Sequence, residues 1–203
     1  MAPLPYRLSF TAAGVMRAES VHLAHWYQTL GDWDTVRTQA VAQNLLQTRK
    51  TASATRISRE LVLRLQGLAD AELTLLRQGN PNEQDQILWV AICRRYRLVA
   101  EFALEVLRER FLHFGPPLEL ADFDTFYDRK ADWAEELDQI TPVTRKKLRQ
   151  VLFRMLRETG LIGTDGSIQP TLLSDRVRTV VGRKRPSDLL YFPVFEANLA
   201  RRT

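Results

Sequence analysis

The chain has 203 residues, enough for one large domain or two small ones, and a net charge of +5. Its composition, 45% apolar and 26% charged, is ordinary for a soluble globular protein. Its longest uncharged run, residues 20–31, is too short to span a bilayer, and its first ten residues lack the order of a signal peptide. Its one cysteine excludes a disulfide framework and a multi-cysteine metal site, so we expect a soluble cytoplasmic protein with no membrane partner.

Three helices are predicted in the first third of the chain. Helix one covers Arg17–Leu30 and ends at Gly31, which can adopt the left-handed conformation common at helix ends. Helix two starts behind Asp32, a residue suited to the N-cap, and runs over about residues 33–47. Helix three covers Ser53–Leu68, because its apolar residues recur at intervals of three and four, the period of one helical face. These residues are Ala54, Ile57, Leu61, Leu65 and Leu68.

A long central helix is predicted after the break at residues 78–82, where Gly and Pro oppose helix continuation. It runs from Glu83 to about Phe114 and is apolar over most of its circumference, which is typical of a buried central helix. We therefore interpret it as the scaffold of the fold. Arg95 lies on its apolar side, so either the stem lies along the core while the head reaches water, or the head pairs with a buried acid.

A strongly basic helix is predicted within ITPVTRKKLRQVLFRMLRETGLIGTDGSI, residues 140–168. Thr141 and Pro142 suit its N-cap and first turn, and Gly160 suits its end. The segment that follows predicts a small hairpin around Asp165-Gly166.

The charge of the chain is concentrated in this region. Residues 141–203 carry 13 basic and 5 acidic side chains, whereas residues 1–140 carry 16 basic and 19 acidic ones. One side of the basic helix is an apolar stripe, and no acidic residue of the helix interrupts the other side. We expect a polyanion such as DNA to relieve the repulsion there, although a solvated basic surface is the alternative. The candidate contact residues are Arg145, Lys146, Lys147, Arg149, Gln150, Arg154 and Arg157.

The order of elements around the basic helix is that of a winged helix-turn-helix. A short helix around residues 132–138, a tight turn, the basic helix and the hairpin follow one another, and in that motif the second helix enters the major groove. Helix three has a weaker version of the same surface, since hydroxyl and basic side chains at a helix start suit phosphate contacts. Its candidate residues are Arg49, Lys50, Thr55, Arg56 and Arg59.

Patterns typical of catalysis or metal binding are weak. His22 and His25 are three residues apart without a further ligand motif, and Asp122, Asp124 and Asp128 lack the glycine that a calcium loop requires. The sequence contains no Gly-rich phosphate loop and no nucleophile elbow. We therefore expect a protein that is not an enzyme and that uses no metal, no cofactor and no small-molecule substrate.

Four blocks of the sequence resemble one known family. They are RAESVHLAHWYQTLGDW, QNLLQTRKTASATRISRELVLRLQGL, EQDQILWVAICRRYRLVAEFALEVLRERF and TRKKLRQVLFRMLRETGLI. Together they resemble the BrxA family, the small component of bacteriophage-exclusion (BREX) defence systems in bacteria, over about residues 6–195. The resemblance implies a small helical, non-catalytic protein that works beside a BREX methyltransferase, a phosphatase-like protein and an ATPase. It also implies nucleic-acid binding, since the family is compared with the RNA-binding antitermination protein NusB and is regarded as DNA-binding.

The predicted fold is a mainly α, multi-helical bundle with helix-turn-helix-like units and a small C-terminal β-hairpin, with a NusB-like body as the alternative. We expect three regions packed together as one compact unit. They are an N-terminal helix-turn-helix-like region (residues 1–78), the central scaffold helix (79–118) and a C-terminal winged helix-turn-helix-like region (119–203).

The predicted function is non-catalytic binding of double-stranded DNA in a BREX phage-defence system. The basic helix, residues 142–159, would make most of the phosphate contacts, with help from residues 53–68. A protein–protein adaptor in the BREX complex is one alternative, in which the acidic stretch 119–138 offers a second contact surface. RNA binding by a NusB-like fold is the other.

Overall fold

The computed structural model describes residues 5–195, and helices make up most of them, so the prediction of a mainly α fold is confirmed. Residues 1–4 and 196–203, the outer ends of two predicted regions, lie outside the described part. A π-helical segment, Ala103–Arg108, joins α6 to α7, and two short 3-10 helices cover Ser9–Ala12 and Pro186–Tyr191. The α-helices are α1 (Arg17–Leu30), α2 (Trp33–Ala42), α3 (Thr51–Leu65), α4 (Asp70–Gln78), α5 (Pro81–Arg95), α6 (Arg97–Phe102), α7 (Glu109–Leu112), α8 (Leu120–Ala131), α9 (Glu135–Asp138), α10 (Pro142–Glu158) and α11 (Asp175–Gly182).

Local signals fix the start of several helices. The Asp32 side chain accepts a hydrogen bond from the Thr35 N–H at 2.7 Å, which satisfies one of the free donors at the start of α2. Gly31 adopts the left-handed conformation at the end of α1, with φ of 68°. These features were predicted, but α2 ends at Ala42 rather than near residue 47. The chain turns there through positive φ angles at Asn44 and Gln47, which the sequence pattern does not show.

The predicted central helix is interrupted at Tyr96, which corrects the single helix expected over residues 83–114. Tyr96 has φ −119° and ψ 98°, so α5 ends before it and α6 begins after it. Its side chain is fully buried, and its hydroxyl accepts a hydrogen bond from Arg64 Nε at 3.0 Å and donates one to Glu60 Oε1 at 2.7 Å. The non-helical backbone therefore places Tyr96 in a buried polar network with α3, a tertiary contact that local propensity cannot reveal.

Aromatic packing ties the second half of the chain together. The Phe102 ring lies 5.3 Å from the Phe126 ring in an edge-to-face arrangement, and 6.1 Å and 6.3 Å from the rings of Phe123 and Phe153. All four rings are almost fully buried, and each such side chain contributes about 1.5–3 kcal/mol through removal of its apolar surface from water. This cluster anchors α10 against α6 and α8.

Arg95, whose place the sequence left open, faces a buried acid. Its Nε lies 3.7 Å from Glu60 Oε1, and its side chain is 18% exposed. The neighbouring Arg94 is more tightly held, with both terminal nitrogens 2.7 Å from the Glu72 carboxylate and Nε 2.6 Å from Asp188 Oδ2. Burial opposes the charged state of Arg94, but the bonds to Glu72 and Asp188 outweigh it and raise the pKa of the guanidinium.

The C-terminal hairpin is much smaller than predicted. An isolated antiparallel bridge joins Ile162 and Ile168, and residues 5–195 contain no β-strand, so a winged-helix fold is not supported. The turn between them packs onto the body instead of projecting as a wing. The Leu118 N–H donates to the Gly166 carbonyl at 2.8 Å, and Gly166 has φ of 84°. Its α-carbon lies so close to Leu118 that an added Cβ would be 2.3 Å from the Leu118 carbonyl oxygen.

Candidate nucleic-acid interface

The basic helix forms where the sequence predicts it. Thr141 Oγ1 accepts a hydrogen bond from the Thr144 N–H at 3.2 Å, Pro142 is the first helical residue, and α10 runs to Glu158. Gly160 follows with φ of 68°. The apolar side is buried through Leu148, Val151, Leu152, Phe153, Met155 and Leu156.

Two of the seven candidate residues on α10 are held by carboxylates of α8. Arg145 Nη1 lies 2.5 Å from Asp128 Oδ1, and its Nη2 lies 3.0 Å from Asp128 Oδ2. Arg149 is paired with Asp124, whose carboxylate also lies 3.3 Å from Arg145 Nε. The sequence predicts that a polyanion relieves the repulsion on the basic side of α10. At Arg145 and Arg149 this expectation is wrong, because carboxylates of the protein itself neutralise both side chains. The carboxylates come from another helix, which a wheel of α10 alone cannot show.

The other five candidates on α10 are exposed. The side chains of Lys146, Lys147 and Gln150 have no hydrogen-bond or ion-pair partner within the part of the chain that the structure describes. Arg154 Nε lies 3.6 Å from Glu158 Oε1, in an exposed pair that leaves the guanidinium accessible. The Arg157 guanidinium lies 5.9 Å from the centre of the Phe153 ring. The available positive charge on α10 is thus smaller than its sequence suggests, with the two lysines fully available.

The candidates on α3 form a less neutralised surface. Arg49, Lys50, Arg56 and Arg59 are exposed, and none has an ion-pair partner among residues 5–195. Thr55 is exposed as well, although its hydroxyl donates to the Thr51 carbonyl at 3.0 Å.

The start of α3 adds donors to this surface. Its N-cap residue, Lys50, makes no side-chain capping bond, so the first backbone N–H groups of a 15-residue helix have no side-chain acceptor there. The helix begins at Thr51, two residues before the predicted start at Ser53. A helix N-terminus with basic side chains before it and in its second and third turns favours an anionic ligand. All four basic candidates on or before α3 are free of carboxylate partners in the described residues, whereas two arginines of α10 are paired.

Both helices contact residues 13–15 near their C-terminal ends. Near the end of α3, Arg64 donates to the carbonyls of Ala13 and Gly14 at 3.1 Å and 2.6 Å. At the end of α10, Glu158 Oε2 accepts from the Val15 N–H at 2.7 Å. No hydrogen bond or ion pair joins the candidate residues of one helix to those of the other within residues 5–195.

Two large apolar side chains near α10 are exposed, and the sequence patterns did not single them out. Trp133, in the turn before α9, is 92% exposed, and Val143, in the first turn of α10, is 79% exposed. Exposed large apolar residues are informative when they flank a charged surface, because such residues are common at binding sites. The sequence does contain a signal for Trp133, since a tryptophan within the highly charged stretch 128–138 is expected to be exposed.

The carboxylates that resemble a metal site have other partners. Asp122 binds Arg110 through both oxygens, while Asp124 and Asp128 bind the arginines of α10. No group of three or more potential metal ligands occurs in residues 5–195. Burial raises the pKa of the Cys93 thiol, so it stays protonated. None of the helices in the described range is long and apolar enough to cross a membrane.

Comparison with known proteins gives a consistent family. A model of the BrxA family matches residues 4–184. A protein named BREX protein BrxA from Escherichia coli O9:H4 (strain HS) is 26% identical over 178 residues, which cover 87% of this chain and 84% of that protein. A protein of the same name from Bacillus cereus (strain H3081.97) is 28% identical over 127 residues. That match covers 63% of this chain and 64% of the relative, slightly less than two thirds of its length.

A solved structure shares the fold. The crystal structure of an uncharacterized protein from Magnetospirillum magneticum matches with a TM-score of 0.82 at 20% sequence identity. The match covers 94% of this chain and 98% of that chain, so the arrangement of helices is common to both nearly throughout.

Proposed function

Because the chain belongs to the BrxA family, we propose that it is a component of a BREX phage-defence system that binds double-stranded DNA and catalyses no reaction. The observation that carries the DNA-binding part is the unpaired basic surface at the start of α3. Arg49, Lys50, Arg56 and Arg59 stand exposed without a carboxylate within ion-pair distance in the described range. Folding alone gives no reason to leave four like charges without partners, whereas DNA phosphates neutralise them and release counterions.

The helix α10 extends this surface in the proposal. Lys146 and Lys147 are its available cations, Gln150 can pair with an adenine edge, and Arg154 and Arg157 remain accessible. Arg145 and Arg149 act as positioning residues, since their pairs with α8 fix the direction in which α10 lies. Phosphate contacts dominate, so the binding tolerates different base sequences.

The experiment that tests this function titrates the protein into equal amounts of fluorescent duplex DNA, duplex RNA and single strands. We expect the duplex DNA to bind most tightly, and to bind about 10- to 1000-fold more weakly at 200 mM than at 50 mM salt if roughly two to five phosphates are neutralised. Tighter binding of duplex RNA or of single strands would replace the proposal with the RNA-binding alternative. An absence of binding at 50 mM salt would contradict nucleic-acid binding altogether.

A second candidate function is that of an adaptor between BREX components. The observation in its favour is the exposure of Trp133 and Val143 on either side of α9. Co-purification of another BREX component that is lost on Trp133→Ala, with duplex binding retained, would support this function.

A further inference from the structure

An arginine-rich cleft lies apart from the surfaces described above. It has a volume of about 400 Å³, within the roughly 300–1,000 Å³ typical of small-molecule sites. None of the residues that line it is acidic. Six of them are arginines, and we call the site the arginine cleft. These residues are Arg7, Arg64, Arg94, Arg95, Arg97 and Arg185.

Elements distant in sequence bring these arginines together. Arg7 precedes the first 3-10 helix, Arg64 ends α3, and Arg185 precedes the 3-10 helix Pro186–Tyr191. Arg94 and Arg95 end α5, and Arg97 begins α6 after the break at Tyr96. Arg94, Arg95 and Arg97 therefore line the cleft from both sides of the break at Tyr96.

Two of the arginines are fixed by the fold and form its rigid part. Arg94 binds two carboxylates, Glu72 and Asp188, so these three groups together carry one net negative charge. Arg64 is 2% exposed and donates to two backbone carbonyls and to the Tyr96 hydroxyl, none of which carries a negative charge. Within residues 5–195, Arg64 forms no ion pair, and its hydrogen-bond network reaches a carboxylate through Tyr96, whose hydroxyl donates to Glu60.

Three of the remaining arginines, Arg7, Arg95 and Arg185, have charge or donors left over. Arg95 faces the same Glu60, but at 3.7 Å, and its Nε is buried without a hydrogen-bond partner within residues 5–195. A buried guanidinium N–H without an acceptor costs free energy, so the fold satisfies Arg95 incompletely. Arg7 and Arg185 are exposed and have no ion-pair partner in the described part of the chain.

Four carboxylates pair with the six arginines, namely Glu72 and Asp188 with Arg94, Glu60 with Arg95 and Glu101 with Arg97, which leaves a net charge of +2 on these groups. Glu60 is shared by Arg95 and the Arg64–Tyr96 network, and it also accepts from the Ser9 hydroxyl at 2.9 Å. Glu101 binds Arg97 at 2.6 Å, but its other oxygen lies 2.9 Å from Lys130 Nζ. The cleft therefore keeps a positive charge in a partly enclosed space, where Coulomb attraction is stronger than at an open surface.

We propose that the arginine cleft binds a small molecule carrying two or more phosphate groups, of the class of nucleoside di- and triphosphates. Guanidinium groups match phosphate oxygens in a two-pronged geometry, and several arginines around one cleft suit more than one phosphate. Pro5, Leu63 and Ala91 supply apolar wall for the rest of such a ligand. The ligand acts as an effector of a non-catalytic protein, since no general base or nucleophile lines the cleft.

The test is calorimetric titration of the full chain with ATP, ADP and inorganic triphosphate at fixed ionic strength. We expect saturable 1:1 binding of all three. The double variant Arg7→Ala/Arg185→Ala should weaken this binding by roughly tenfold for each arginine, and it should fold normally because both side chains are exposed. The matched control is Arg183→Ala/Lys184→Ala, which removes the same charge from neighbouring exposed positions outside the cleft and should leave the affinity unchanged.

Three results would overturn the proposal. One is the absence of binding at millimolar ligand, and another is an equal loss of affinity in both double variants. The third is tighter binding of an acidic peptide such as penta-aspartate than of inorganic triphosphate. Duplex binding by the Arg7→Ala/Arg185→Ala variant separates this site from the proposed DNA surface. A variant that lost duplex and triphosphate binding together would assign both arginines to the DNA surface, whereas retained duplex binding supports a separate site.

Discussion

Arg145 of α10 forms a two-pronged ion pair with Asp128 of α8, with nitrogen–oxygen distances of 2.5 Å and 3.0 Å. The hydrogen bond between them is the largest cause of a raised pKa for Arg145 and of a lowered pKa for Asp128. Asp124, one turn earlier on α8, contacts Arg145 and Arg149. The most conspicuous basic helix of the sequence therefore uses two of its arginines to hold α8, and the unpaired cations lie largely elsewhere.

The variant Asp124→Asn/Asp128→Asn should increase affinity for duplex DNA, because it releases two arginines of α10. Each phosphate newly neutralised steepens the dependence of log affinity on log salt by about 0.9. Asp128 is exposed while Asp124 and both arginines are half-buried, so each pair contributes about 1 kcal/mol to folding, and the variant should remain folded with a lower melting temperature. Fluorescence anisotropy over a salt series gives the slope, and circular dichroism gives the melting temperature.

The matched control for that variant is Asp132→Asn/Asp138→Asn. Both residues are exposed acids in the same region and form no ion pair among residues 5–195, so the change in net charge is identical. Equal tightening by both variants would mean that net charge, and not the released arginines, governs the affinity.

Replacing Gly166 with alanine should destabilise the fold by roughly 1–3 kcal/mol. Its φ of 84° is unfavourable for a side chain, and the added Cβ would meet the Leu118 carbonyl oxygen at 2.3 Å. Gly160→Ala is the control, because Gly160 also has a positive φ but nothing lies within 4 Å of an added Cβ. Urea denaturation should show the larger loss for Gly166→Ala, and equal losses would mean that the turn does not rest on Leu118.

Stability should fall at acidic pH through Glu101. Burial opposes its ionisation, but hydrogen bonds from Tyr6, Lys130 and Arg97 outweigh burial and lower the pKa of Glu101 below its ordinary value of 4.5. A lowered pKa in the folded state stabilises the protein above pH 4.5, and this contribution disappears as pH falls through the folded-state pKa. Urea denaturation of the wild type and of Glu101→Gln between pH 3 and 7 should therefore show a stability difference that shrinks below pH 4.5. A difference independent of pH would contradict this role.

Local signals made parts of the fold and site predictable. Asp32 and Thr141 as N-caps and Gly31 as a helix end act through atoms within a few residues, so the sequence specifies them directly. The break at Tyr96 contains neither Gly nor Pro and depends on a buried contact with Glu60 on another helix, so no local pattern predicts it.

The ion pairs between α10 and α8 correspond to a pattern in the sequence that a helical wheel of α10 alone does not show. Asp124 and Asp128 are four residues apart, as are Arg145 and Arg149, so two antiparallel helices can bring both pairs into register. A search for complementary spacing between predicted helices would have found this match. No comparable sequence pattern predicts the arginine cleft, because its residues come from distant segments that only the folded chain brings together.

The most direct test of DNA binding is the salt dependence of duplex affinity for the wild type beside Arg56→Glu/Arg59→Glu. Both residues are exposed and unpaired within residues 5–195, so their reversal should leave the fold intact, whereas reversal at Arg149 would place a carboxylate beside Asp124. Arg183→Glu/Lys184→Glu changes net charge equally at exposed positions after α11 and serves as the control. We predict that the α3 variant loses at least about tenfold in affinity and about 2 units of salt slope, while the control keeps both. Wild-type affinity and slope in the α3 variant, or equal losses in the two variants, would contradict the assignment of the start of α3 as the DNA-binding surface.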